Sequence, residues 1–296
     1  MADRQNASDF SKEVLALFDG YIHGFIDRRA FLEGAAKTVG GGAAALAVLD
    51  ALQPRYAWAS QVPEEDERIR AEYVEYDSPD GSGTMRGYMA VPEGATGAKP
   101  AVLVIHENRG LNPYVEDVVR RFAAADFVAL GPDALTPLGG YPGNDDDGRE
   151  MQRQLDRDTM MEDWVAAFEF LRTHSSSTGR VGAVGFCYGG GVVNQLAVRL
   201  PNLGAGSPFY GSAPAPESVA QIEAPLLIHY GGLDERINAR WPEYEAALKA
   251  GGKTYTMHMY EGANHGFHND TTPRFDEDAA TLAQERTIAF FNEHLR

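Results

Sequence analysis

Three side chains stand out among the 296 residues for the chemistry they could do together: a thiol, a carboxylate and an imidazole. Cys187 is the only cysteine, so it has no disulfide partner within the chain and cannot belong to a multi-cysteine zinc site. It lies in Gly185-Phe186-Cys187-Tyr188-Gly189, after the apolar run VGAVGF and before a helical pattern. A tight turn from a buried strand into a helix strains its central residue, and glycines beside it let strand and helix approach closely. Partial positive charge at a helix N-terminus favours thiolate over thiol. The competing reading is a small buried hydrophobe, the usual fate of a free cysteine. A nucleophile also needs a base and a group that orients the base. Asp234 in PLLIHYGGLDERI and His265 in YEGANHGFHND each fall just past a strand-like run. Such a set can take a proton from sulfur, hold the imidazolium and direct the thiolate at a carbonyl carbon.

Each member has a rival. Glu235 could replace Asp234 but lies one residue farther from its strand, and His268 could replace His265, whose Gly-flanked place suits an imidazole that must reach Cys187. His229 and His258 fall inside strand-like runs and are expected to be structural.

The elements that must position these groups can be read from periodicity. AEYVEYD and TMRGYMAV alternate in period two around SPDGSG, an opening antiparallel pair. AVLVIH, FVALGP, VGAVGF and PLLIHYG are continuous apolar runs suited to strands buried on both faces, and TYTMHMYEG adds a last strand. Helical patterns fall near 114–125, 149–173, 189–200, 239–250 and 277–294. This alternation predicts a mostly parallel central sheet flanked by helices. Nucleophile, acid and histidine, in that order and each at the C-terminal end of a strand, are the arrangement of the α/β-hydrolase fold. GGYPGNDDDG reads as a solvated loop, since Gly143 stands where an EF-hand would need its first aspartate.

With 26 basic and 43 acidic residues the formal charge is −17, which repels polyanions and argues against nucleic acid as a partner. The chain divides into residues 1–59 and a main domain over 60–296. In the first segment, Arg28-Arg29 precedes Phe31-Leu32 and a Gly/Ala-rich stretch that closes on Ala57-Trp58-Ala59. This resembles a twin-arginine export leader, which implies a periplasmic protein cleaved after Ala59. The alternative is a retained, cytoplasmic helical arm that packs on the main domain or joins subunits into a homo-oligomer, because DFSKEVLALFDGYIHGFI over 9–26 already reads as an amphipathic helix. Lys37 and Asp50 interrupt the apolar part, so a stable membrane span is not expected.

Residues 70–296 resemble the dienelactone hydrolase family, the cysteine branch of the α/β-hydrolases, through VGFCYGGG, GGLDERI, GANHGF and VIHENRGLNPYVEDVVRRFAAADFVALGPD. The resemblance implies hydrolysis of a small-molecule carboxylic ester or lactone through a Cys187-His265-Asp234 triad and a thioester acyl-enzyme, with no metal or organic cofactor. It further implies that Glu107 contacts the resting thiol and that the backbone amides of Tyr188 and Asn108 form the oxyanion hole. His106-Glu107 is not a zinc motif, because HExxG is not HExxH. Gly266 and Asn269 depart from the serine and arginine that dienelactone-cleaving members carry. Arg149 is the candidate for binding a substrate carboxylate, with Arg149, Arg153 and Arg157 as a merely charged helix face the other reading. Two further functions compete: a redox-responsive protein built on Cys187, and a non-catalytic binding or assembly protein.

Overall fold

The computed structural model describes residues 5–58 and 60–296. Ala59, where cleavage of a leader is expected, lies outside the described residues. The main body is one eight-stranded sheet. Its strands are β1 (Ile69–Ser78), β2 (Gly83–Pro92), β3 (Lys99–Ile105), β4 (Val128–Pro132), β5 (Ser177–Phe186), β6 (Ala205–Phe209), β7 (Leu226–Gly231) and β8 (Tyr255–Tyr260), in the order β1-β2-β4-β3-β5-β6-β7-β8. The β1/β2 and β2/β4 pairs are antiparallel, and every pair from β4 onward is parallel. This is the α/β-hydrolase fold, as the strand runs predict.

The central strands are buried on both faces: every residue of β4, β6 and β7 is buried, as are the last six of β5. Sequence patterning did not pick out β6, because AGSPF carries a glycine and a proline. Pro208 has no N–H to donate, and the pairing of β6 with β7 runs through Gly206–Leu226 and Phe209–His229 on either side of it.

The chain winds helices over both faces of this sheet. They begin with three in the N-terminal segment, α1 (Lys12–Ile22), α2 (Arg28–Val39) and α3 (Gly42–Leu52), and continue with α4 (Pro113–Ala124), α5 (Asp145–Gln154), α6 (Arg157–Thr173), α7 (Tyr188–Arg199), the single turn α8 (Glu235–Asn238), α9 (Trp241–Ala250) and α10 (Glu277–Leu295). The helix expected over 149–173 is two helices. Asp156 accepts a hydrogen bond from the Thr159 amide and caps α6, which ends the α5 pattern one residue earlier at Leu155. GGYPGNDDDG is not simply a solvated loop either. Asn144 caps α5, and Asp145 is buried against Arg109 (2.6 Å), Tyr141 (3.0 Å) and Tyr56.

Helices α1 to α3 enclose a core of their own, with Val14, Phe18, Ile22, Phe31, Ala35, Leu49 and Leu52 at its centre. Arg28 and Arg29 open α2, where Arg29 pairs with Glu33 at the surface. This small bundle docks through polar and cation–π contacts rather than by extending the main core. Asn108 donates to the Ile22 carbonyl (2.6 Å), Arg55 N–H to the Thr271 carbonyl (2.8 Å), and the Arg149 and Arg274 guanidinium groups lie over the Tyr21 and Phe18 rings. Among the described residues no single helix is long and apolar enough to cross a membrane; α2 and the segment after it pass that test only as a pair bent by 112°.

Candidate active site

The strand β5 ends at Phe186, and Cys187 takes φ 56° and ψ −111° before α7 begins at Tyr188. A side chain at a left-handed φ is strained, so the surroundings must hold it there. They do so by close backbone approach: a Cβ on Gly189 would strike the carbonyls of Ile105 and His106, and one on Gly190 the carbonyl of Phe209. The Cys187 amide also donates to the Phe209 carbonyl (3.1 Å). Gly189→Val should therefore drive β3 and α7 apart and destabilise the protein by about 3 kcal/mol or more, read as a fall in thermal midpoint. An unchanged midpoint would contradict this account of the turn.

His265 stands on the loop after β8 and Asp234 on the loop after β7. The His265 Nδ1 lies 2.5 Å from Asp234 Oδ2, while the other oxygen, Oδ1, accepts the Ile237 amide and so fixes the carboxylate as the cap of α8. With Nδ1 committed, Nε2 is the ring edge left for the thiol. Glu235, the rival acid, is the first residue of α8 and exposed. His268 is buried, but both of its nitrogens are occupied, by Tyr114 Oη (2.7 Å) and Gln284 Oε1 (3.1 Å). His229 is packed between Tyr260 and Thr287, and His106 accepts the Ala134 amide, each a structural role.

The sulfur has a partner that sequence reasoning missed. His23, at the C-terminal cap of α1, puts Nε2 at 3.4 Å from Cys187 Sγ. The reactive atoms of Cys187, His23 and His265 all lie within 4.8 Å of one another. Burial disfavours the thiolate, yet His265 and His23 together pull the Cys187 thiol down to about 5. Burial likewise opposes charge on His265, but the adjacent Cys187 and the hydrogen bond to Asp234 raise it to about 10. Nothing in the spacing of FDGYIHGF separates a histidine at a helix end from a surface residue, so no sequence signal pointed to His23.

Glu107 is buried where the resemblance puts it, but with different company. Its carboxylate accepts from Asn269 Nδ2 (2.9 Å) and pairs with Arg109 (3.2 Å), and the thiol's hydrogen bond goes to His23 instead. Asn269 thus keeps the contact to Glu107 that an arginine would make, while Arg109 supplies the charge. Arg109 was legible only as part of HENRG. Gly266 takes φ +81° and faces the Arg274 guanidinium.

A cavity of about 610 Å³ opens over the sulfur, and Asn108, Tyr188, Arg149, Arg153, Arg157 and Arg236 are among its lining residues. The Tyr188 hydroxyl accepts from Trp164 Nε1 (3.2 Å), and its amide is one of the unpaired N–H groups of the first turn of α7. Arg149 is 3% exposed, pairs with Asp146, and has Nη1 buried without a partner. Arg149, Arg153 and Arg157 all line the cavity, Arg149 buried and the other two exposed, with Arg153 paired to Glu150.

The family model for the dienelactone hydrolase family matches residues 85–295, and a model described as YqhI-like matches residues 1–39. The hydrolase fragment YghX of Escherichia coli K12 is 58% identical over 112 residues, which is 38% of this chain and 96% of that protein. A Saccharolobus solfataricus protein assigned as a carboxymethylenebutenolidase is 31% identical over 73% of this chain and 95% of its own length. Among solved structures, the dienelactone hydrolase-like promiscuous phosphotriesterase P91 from metagenomic libraries superposes with a TM-score of 0.67 at 22% identity, covering 77% of this chain and all of that one.

Proposed function

Because the chain belongs to the dienelactone hydrolase family and is a hydrolase of that type, we propose that it cleaves a carboxylic ester or lactone through a thioester on Cys187. The observation that carries this reading is a strained thiol at the N-terminus of α7 facing an imidazole that a buried carboxylate orients. His265 takes the proton from sulfur, and the thiolate adds to the carbonyl carbon. The developing oxyanion is received by the amides of Tyr188 and Asn108. Collapse of the adduct breaks the carbon–oxygen bond, and the leaving oxygen takes the proton from His265. The neutral imidazole then removes a proton from water, which attacks the thioester and releases the acid.

Four arginines around the cavity of a chain with net charge −17 favour a substrate that itself carries an acidic group. Arg149, with one guanidinium nitrogen free of protein partners, is the best placed of them to receive a carboxylate. Intact-protein mass spectrometry after acid quench, with neutral and carboxylate-bearing enol lactones and activated esters, tests both points. The wild type should show an acyl adduct that Cys187→Ala lacks, and the acidic members should acylate at lower concentration. No adduct and no turnover across such a panel would sink the nucleophile assignment; equal behaviour of neutral and acidic members would sink the role of Arg149.

A further inference from the structure

We infer that the N-terminal bundle is part of the catalytic apparatus: it delivers His23, backed by Asp19, as a second imidazole that hydrogen-bonds the Cys187 thiolate. This rests on Cys187 being the nucleophile and extends it to a part of the chain outside the hydrolase sheet. The sulfur then has an imidazole on each side, His23 with Asp19 beyond it and His265 with Asp234 beyond it.

The geometry is specific. Helix α1 stops at Ile22, whose carbonyl is tied to Asn108 of the main body, and Gly24 at φ +77° turns the chain away, which leaves the His23 side chain over the cavity. His23 Nδ1 has only acceptors beside it, the Asp19 carbonyl (2.8 Å) and Asp19 Oδ1 (3.2 Å), so Nδ1 carries the hydrogen. Nε2 is then the edge that meets Sγ. Once protonated from solvent, it donates to the thiolate while Asp19 compensates the opposite edge. The His23 and His265 rings stand edge-on at 81°, with 4.7 Å between centroids, so the two reach the sulfur from different directions.

Charged groups on neighbouring elements bear on this pair, and on the loop after β8 a protonated His265 opposes charge on His23. From α8, Arg236 lies 3.1 Å from His23 Nε2 and 3.5 Å from Asp19, and Arg274, ahead of α10, lies 3.9 Å from Asp19. Arg236 can donate to the Nε2 lone pair only while His23 is neutral, so this contact and a proton on Nε2 exclude each other. Burial opposes charge on His23 and Asp19 alike. It is outweighed in His23, where Cys187 and Asp19 raise the ring, and in Asp19, which the hydrogen bond from His23 holds well below the usual carboxylate range.

The inference requires the bundle to stay on the working enzyme. Processing after Ala59 would remove His23, so the geometry favours the retained arm over the cleaved leader.

The test is the pH dependence of Cys187 alkylation by iodoacetamide in the full-length protein, which reads the thiolate without needing a substrate. For His23→Asn the midpoint should rise by at least about one pH unit, and the acidic limb of ester acylation should move with it. Asp19→Asn, which keeps the imidazole but removes its backing carboxylate, should move both in the same direction by less. Midpoints within about 0.2 unit of wild type in both variants, each folded by circular dichroism, would overturn the proposal. Should His23→Asn fail to fold, Asp19→Asn decides alone. A wild type that neither alkylates in mildly acidic solution nor forms an acyl adduct would instead refute the nucleophile assignment itself.

Discussion

Cys187→Ala should lower ester turnover at least about a thousandfold, His265→Ala at least about a hundredfold, and the double variant no further than Cys187→Ala alone. The reason is that the two side chains act on one proton and one bond. Without sulfur there is nothing for the imidazole to deprotonate, and any residual rate comes from the cavity and the amides of Tyr188 and Asn108. Neither substitution should unfold the protein. Cys187 is anchored through its backbone, by the Phe209 carbonyl and the close contacts of Gly189 and Gly190, and these survive loss of the thiol. His265 is held at Nδ1 by Asp234, which keeps its own cap to Ile237. Steady-state rates on an activated ester, with thermal midpoints as control, give the comparison. Losses that multiply in the double variant would mean that the two residues contribute independently, which a relay does not allow. A loss under tenfold in His265→Ala would move the base to His23, already 3.4 Å from the sulfur, rather than to His268, whose nitrogens are taken by Tyr114 and Gln284.

What the sequence made legible is what local order determines. The apolar runs, the glycines around Cys187 and the places of Asp234 and His265 past their strands all follow from a strand that must be buried and a loop that must be exposed at its end. The strand β6 was hidden because Pro208 and Gly206 are poor strand formers that a buried central position nevertheless tolerates. Arg149 could be read either as a substrate ligand or as part of a charged helix face, because periodicity does not register that Asp156 starts a new helix and so where the two helices lie against the cavity. His23 was hidden for a deeper reason. Its role depends on how a three-helix unit with its own core is seated on the main body, and that seating is made by scattered partners such as Asn108, Arg149 and Arg274, far apart in the chain. Contacts of this kind leave no period in the sequence.

The profile of kcat/KM against pH should rise through about 5, fall through about 10, and narrow from both sides in Asp234→Asn, with a loss of about a thousandfold or more at neutral pH. Acylation needs sulfur as thiolate and an imidazole still carrying a proton for the leaving oxygen. Acid removes the first, as the thiol regains its proton through about 5, and alkali removes the second, as His265 loses its own through about 10. Each group owes its shift to the other, so these limbs belong to the assembly rather than to single residues. Asp234 accepts from Nδ1 and supplies negative charge to the imidazolium. With asparagine there, His265 gives up its proton at lower pH, which brings the alkaline limb down. A less charged imidazole also stabilises the thiolate less, which brings the acidic limb up. At a neutral pH the population with both groups correctly charged falls, and the asparagine amide can hold the ring in the wrong tautomer besides. The measurement is the initial rate at substrate well below KM, from mildly acidic to strongly alkaline buffers at constant ionic strength. An Asp234→Asn profile that keeps both limbs in place and only drops in height would show that the carboxylate orients the ring without tuning it. A profile that also keeps its height would remove Asp234 from the mechanism.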